Sequence, residues 1–254
     1  MRPHFHGTPI WGNAGDVLRV AVSGAGAFVS YVRPDQIERC FKYADSVAID
    51  NGAFSAWKSG KKLDWNKFYE FLHRHYHRAK LAFFCIPDVV EGGESDNDAM
   101  IKAVPHIFKE KAAPVWHLHE SIERLVRLCE EWPRVCFGSS GQYAATLTKH
   151  WHERMNEAFT EIYIKRQLTT KIHGLRMLDG RILGSYPLHS ADSTNLACNV
   201  PKFNVKYPEL TRAVLDKGYG QDMVQLHRCA ILKNSIESVT PPSIAVWVAA
   251  QEQK

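Results

Sequence analysis

What most constrains this chain is a rhythm in which short segments that are apolar on both faces alternate with stretches whose apolar residues recur at helical spacing. SVAID (46–50), LAFFCIPDVV (81–90), PVWHL (114–118), RVCFG (134–138) and KIHGLRML (171–178) are segments of the first kind. A strand without a polar face must be covered on both sides, as happens in a parallel sheet wrapped by helices. The covers lie between the strands. Pro34-Asp35 opens a helix to about residue 43, with proline where its missing N–H costs nothing. Asp64 is placed to cap a helix on which Trp65, Phe68, Leu72, Tyr76 and Ala79 fall near helical period. Further helices are expected over 95–109, around Ile122, Leu125, Val126, Cys129 and Trp132, and over 148–166.

Residues 16–23 (DVLRVAVS) read as the first strand, closed by Gly24 and Gly26, and the run from Ile182 through Leu183 into HSADSTN reads as the seventh. No eighth strand can be placed. Six or seven strand–helix units in about 200 residues point to an α/β fold, a (β/α)8 TIM-like barrel. The open, doubly wound alternative usually declares a glycine-rich dinucleotide turn, and Gly24-Ala25-Gly26 lacks its third glycine and its acidic partner. The whole chain, 1–254, is read as one barrel domain. Beyond Pro201 the pattern loosens into a C-terminal helical extension (200–254), with helices over 208–217 and 221–233 and a short apolar piece, SIAVWVAA.

No apolar run approaches the ~20 residues that span a bilayer, and no apolar core follows Arg2, so neither a membrane nor a secretory route is expected. The six cysteines form no C-x-x-C pair, which fits reduced thiols in a cytoplasm. The net charge of +5 is a mild bias toward a polyanion. From 161 to 235 there are eleven Lys/Arg against six Asp/Glu, which places that excess in the C-terminal third.

In a barrel of this kind the working residues follow the C-terminal ends of the strands. In order these are Asp50-Asn51-Gly52, Asp88, His117 with His119-Glu120, Gly138-Ser139-Ser140-Gly141, Gly174 with Arg176, and His189 with Asp192. Each acid alone could be a cap or turn residue. Three of them from three strand ends form a set suited to an anomeric carbon, where one carboxylate attacks C1′ and another manages protons. GSSG either admits a flat ligand close to its backbone or is a plain tight turn.

These motifs resemble the tRNA-guanine transglycosylase superfamily, and more closely the DpdA-type DNA 7-deazaguanine transglycosylases of phages and bacteria, from about residue 47 to 195. DNGAF (50–54) resembles the family's D-S-G-G-F, in which the aspartate is a general acid/base. Asp88 falls where the family has a base-recognising aspartate, and Asp192 in HSADSTN matches its nucleophile. GSSGQ (Gly138, Ser139, Ser140, Gly141, Gln142) resembles the loop that contacts the purine, and His173-Gly174 the segment beside that pocket.

The resemblance implies base exchange. Guanine in nucleic acid is replaced by a free 7-deazaguanine such as preQ0, without a cofactor, through a covalent Asp192–sugar intermediate, in a bacterium or a phage-infected cell. Asn51 and Gly52 join the substrate-binding set. The family's zinc cluster is not matched, since only Cys198, His227 and Cys229 are available and they lack its close spacing. No metal and no zinc subdomain are therefore expected, which favours DNA over tRNA. A helicase-like or homodimer partner would help to open a duplex. The target base must leave its stack, with Phe54 and Tyr143 as candidate walls. Arg176, Arg181, Lys165, Lys202 and Lys206 are the expected phosphate contacts.

Two other classes compete. His117 and His119, two apart on a strand, could share a metal with His173, His189 and Asp192 in a metal-dependent barrel hydrolase. A non-catalytic barrel that only binds nucleic acid or a partner subunit is the third.

Overall fold

The computed structural model describes residues 3–11, 16–202, 208–218 and 220–253. Nine strands pair in parallel throughout: β1 His4–Thr8, β2 Gly26–Ser30, β3 Ser46–Asp50, β4 Leu81–Cys85, β5 Ala112–Ala113, β6 Val115–His117, β7 Arg134–Gly138, β8 Lys171–Gly174 and β9 Ser190–Ser193. Their order is β5-β4-β3-β2-β1-β9-β8-β7-β6. The two ends of that order are one piece of chain. Pro114 separates β5 from β6, Ala113 C=O accepts from Ile86 N–H on the β4 side, and Pro114 C=O accepts from Cys136 N–H of β7. A proline has no N–H to give the ladder, so one stave changes partner at that residue. Eight staves thus close into the expected (β/α)8 barrel.

The staves alternate inward and outward residues at a period of two. Phe5, Phe28, Ala48, Phe83, Cys85, Ala113, Val115 and Cys136 fill the interior. The residues between them face the helices in two outer layers. Ile49, Phe68, Leu72, Phe84 and Phe108 lie in one, and Trp116, Phe137, Trp151, Phe159 and Ile172 in the other. This alternation places the site. Two residues beyond Ala48 and Phe28 the inward positions are Asp50 and Ser30. Beyond Val115 and Phe5 they are His117 and Gly7, and on β9 the inward pair is Ser190 and Asp192.

Two expected strands are corrected. Residues 16–23 form a helix, α1 (Val17–Val22), because its buried residues Val17, Leu18, Ala21 and Val22 share one helical face. Gly24, at φ +75°, then turns the chain into β2. The run from Ile182 is not a strand either. Gly180–Leu183 is a single helical turn, whose Arg181 N–H is capped by the Asp179 carboxylate, and the stave is Ser190–Ser193 itself. The staves missed by sequence are β1 and β2, and with the helix at 16–23 counted as a strand each later stave is numbered one too low.

Other elements fall near their expected places, including α2 Ile37–Tyr43, α4 Trp65–His75 capped by Asp64 and α6 Ile122–Glu131, while the helix expected over 95–109 is the shorter α5 Glu94–Lys102 and α3 Ala53–Lys58 is a helix the sequence did not suggest. The helix expected over 148–166 is Lys149–Phe159, followed by a π-helical turn Thr160–Lys165. Past the barrel, Pro208–Leu215, Gln221–Glu237 and Ile244–Glu252 are helical. The second of these packs on α1, where Lys233 Nζ donates to Val20 C=O and Ser23 C=O. His6, facing outward, meets Glu237 Oε1 at 2.9 Å. None of the described helices is long and apolar enough to cross a membrane, and the six cysteines are free thiols.

Candidate active site

The C-terminal mouth of the barrel holds a cavity of about 510 Å³. Asp50, Asp88 and Asp192 all line it, from the ends of β3, β4 and β9.

Asp192 is 4 % exposed. Its Oδ1 accepts from Arg176 N–H at 3.0 Å and lies 3.4 Å from His173 Nε2, which leaves Oδ2 for a ligand. Arg176 reaches that geometry with a left-handed φ of +58°, a conformation a non-glycine residue adopts at a cost. Its guanidinium donates to Ser139 C=O at 2.7 Å and lies 4.0 Å over the Phe54 ring. His173 is fully buried among Phe5, Phe28 and Phe83, with Nδ1 2.8 Å from Ser190 Oγ. Burial lowers its pKa, so a neutral ring sits under Asp192. Sequence placed His173 against the ligand; here it supports the Asp192 carboxylate from below.

Asp50 carries the strongest perturbation in the mouth. Desolvation, joined by repulsion from Asp192 and Asp88, pushes its carboxyl up to about 7, against the pull of the Ser30 hydroxyl and Gly52 N–H. Gly52 is required by its own geometry. It turns at φ +81°, and a Cβ there would meet Val32 Cγ1 at 2.7 Å.

Asp88 is held on both oxygens. Asn51 Nδ2 donates to Oδ1 at 2.7 Å, and His117 Nε2 lies 2.9 Å from Oδ2. Asn51 is fixed in turn, since Nδ2 also donates to Ile86 C=O and Oδ1 accepts from Ala53 N–H. On its other side His117 Nδ1 meets Ser140 Oγ at 3.2 Å, and Ser140 Oγ meets His119 Nδ1 at 3.0 Å. A hydrogen-bonded file therefore runs from Asp88 through His117 and Ser140 to the exposed His119. The two histidines stack with ring centroids 5.5 Å apart and use their nitrogens on Asp88 and Ser140. That is not the chelating pair required by a metal-dependent hydrolase. Among the described residues no group of three or more His, Cys, Asp or Glu is arranged to hold a metal ion.

The glycine-serine loop divides. Gly138, Ser139 and Ser140 line the cavity. A Cβ on Gly138 would come within 3.0 Å of His117 Nδ1, and the Ser139 hydroxyl accepts from Trp151 Nε1–H. Gly141 and Gln142 are exposed and lie outside the lining, and Tyr143 is buried against His150. Gly174 is also outside it, and its missing side chain makes room for Met177, 2.8 Å from where a Cβ would be.

Of the expected phosphate contacts only Arg176 reaches the cavity. Arg181 pairs with Asp179 and Lys165 with Glu161, both at the surface, and Lys202 is exposed away from the lining. Lys206 lies outside the described residues. The mouth instead gains Gly7, Thr8, Ser30, Arg33, Lys58 and Thr194. The first three come from the staves that sequence reading missed. Lys58 and Arg33 follow DNGAF and β2 closely enough that correct staves would have found them.

No family model matches the chain, and no curated protein matches it. Among solved structures it is similar to the thiamine phosphate pyrophosphorylase of Bacteroides thetaiotaomicron, with a TM-score of 0.39 and 12% identity over 92% of this chain and 96% of that one. A likeness of that size carries no argument about chemistry, and the barrel rests on the strand pairing itself.

Proposed function

We propose that the chain is a base-exchange transglycosylase, which replaces guanine in nucleic acid with a 7-deazaguanine such as preQ0, DNA being favoured over tRNA. The observation that carries this reading is a division of labour at one cavity. Asp192 has one oxygen pinned and the other open, while Asp50 is pushed up to about 7 and can hold or release a proton near neutral pH.

In the first half-reaction Asp192 Oδ2 attacks C1′. The C1′–N9 bond breaks with its electron pair going to the base, and guanine leaves with the proton of Asp50. In the second, the Asp50 carboxylate takes the N9 proton of the incoming deazaguanine. N9 then attacks C1′ and the ester to Asp192 breaks. Two displacements restore the original β-linkage. Asp88, fixed by Asn51 on one oxygen and His117 on the other, lines the cavity with lone pairs left to accept from the N–H groups of a guanine-like edge. A duplex target would need its base extruded, with a helicase-like or second-copy partner to open it.

The test is nucleoside mass spectrometry of DNA and tRNA from cells expressing the protein with a preQ0 supply. It is paired with trapping of a covalent oligonucleotide adduct in vitro. The expected result is deazaguanine in DNA and an adduct that Asp192→Asn abolishes. Full exchange by Asp192→Asn would sink the assignment.

A further inference from the structure

Beside the cavity lies a second depression of about 310 Å³, which shares Asp88 and Val90 with it and is walled by Trp57, Trp65, Leu63 and Lys61. Trp57 is 47% exposed, a large apolar surface to leave in water at the edge of a binding site. Its indole N–H donates to Glu91 Oε2 at 3.1 Å, which fixes the ring by its edge and leaves the question of what covers its face. The Trp57 ring lies 5.6 Å from that of Phe54, which carries the Arg176 guanidinium. A file of flat groups, Arg176, Phe54 and Trp57, thus leads from beside Asp192 out to the surface.

Cations accompany that file. Lys58 and Arg33 line the cavity, Lys61 lines the second depression, and Lys62 follows it in the chain. Among the described residues Lys58, Lys61 and Lys62 are exposed and in no ion pair. The acids of the facing segment are already engaged: Glu91 by Trp57, Glu94 by Ser121 N–H, Asp96 by Gly93 N–H, and Asp98 by Arg124 and Arg127. Asp88 and Glu91, which line the depression, keep their charge under those hydrogen bonds, so the positive charge offered to a phosphate is that of Lys58 and Lys61 beside it. An aromatic face with such cations beside it is the arrangement that holds a single strand, by stacking its bases and neutralising its phosphates.

We infer that this depression is a subsite for the nucleotide adjoining the target in a single-stranded nucleic acid, its base stacked on Trp57 and its phosphates met by Lys58 and Lys61. The inference rests on the reading that the main cavity takes a nucleotide, and it makes the substrate a polynucleotide rather than a free nucleoside. A base stacked on Trp57 has left its own helix, so the strand is open at two successive positions.

The test compares affinity for a fluorescein-labelled, guanine-containing single-stranded 12-mer with affinity for deoxyguanosine monophosphate, using the full chain. The variants are Trp57→Ala, Trp57→Phe and the double variant Lys61→Ala/Lys62→Ala, each checked by thermal melting. The oligonucleotide-to-mononucleotide affinity ratio should fall about tenfold in Trp57→Ala. Trp57→Phe should restore most of it, and the lysine variant should flatten the salt dependence. The same sequence made as DNA and as RNA distinguishes the sugar. An unchanged ratio in both Trp57→Ala and the lysine variant overturns the subsite while leaving the cavity reading intact. So does a wild-type protein that binds the 12-mer no more tightly than the mononucleotide. Wild-type protein that binds neither ligand overturns the cavity reading, and the subsite with it.

Discussion

Burial, and after it the nearby Asp192 and Asp88, make it costly for Asp50 to carry charge in the mouth. Its folded pKa of about 7 lies above the ordinary 3.8. Between those values the native state binds a proton that the unfolded chain has released, so stability is fully present below 3.8 and is lost as pH rises through about 7. That difference bounds the loss at roughly 4 kcal/mol. Asp50→Asn should remove this dependence. Urea unfolding between pH 4 and pH 8 should show the wild type losing stability relative to the variant until about pH 7, with no further change above. Parallel profiles would mean that Asp50 titrates normally. Single-turnover adduct formation, which needs the protonated acid, should hold while pH stays well below 7, fall as pH rises through about 7, and be slowed ~10²–10⁴-fold in Asp50→Asn.

His117 belongs to the same scale. It occupies one oxygen of Asp88 from a position where it is 4% exposed, so on the proposed reading it acts through Asp88 as a positioning residue. His117→Ala leaves that oxygen without its donor, and a hydrogen bond to a charged group is worth about 1.5–3 kcal/mol. Calorimetric titration with the free deazaguanine base should show affinity falling by about tenfold or more. His117→Gln, which can put a donor near the Nε2 position, should recover part of it. Equal affinity in wild type and His117→Ala would mean that the ligand does not use Asp88.

At the scale of the element, the barrel interior sets limits that composition does not announce. Gly26 on β2 faces Phe5 on β1, and a Cβ there would fall 2.5 Å from the Phe5 ring. That ring is pinned by Phe83 and His173, so it cannot swing aside. Gly26→Ala should cost about 1–3 kcal/mol through overpacking, read as a lowered urea midpoint. The same two staves explain where the sequence could not be read. HFHGT has polar letters because His4 and His6 face Val239 C=O and Glu237 on an outer helix. Their polarity is satisfied by partners more than 200 residues away, and no local pattern reveals that. VLRVAV, rich in β-branched residues, carries the local signature of a strand, and tertiary packing makes it a helix. Staves such as SVAID and RVCFG were legible because both of their faces are apolar. The site followed the same division: Asp50 and Asp88 stood at or just past staves apolar on both faces, Asp192 was singled out although its own stave, Ser190–Ser193, was not placed, and Thr8 and Ser30 stood on staves that had no such signature.

For the whole molecule, the proposed nucleic-acid substrate raises the question of which face it would meet. Sequence placed the excess charge in the C-terminal third, but charge counted along a chain is not charge available at a surface. Arg181 is held by Asp179, and both Lys165 and Arg166 by Glu161. Each of these pairs is its own counterion. A phosphate would have to displace a carboxylate to use it, gaining little from counterion release. Lys58 at the cavity and Lys61 in the depression beside it, with Lys62 next in the chain, have no such partners among the described residues. If that side alone binds, three or four neutralised phosphates on a single strand give a slope of log K against log salt of about −2 to −3. The triple variant Lys165→Ala/Arg181→Ala/Lys202→Ala should then bind a single-stranded oligonucleotide within about twofold of wild type, with the same slope. A slope reduced by one or more in that variant would move the contact surface back to the C-terminal third. Equilibrium titrations from 50 to 300 mM salt, with wild type and variant in parallel, decide between the two faces.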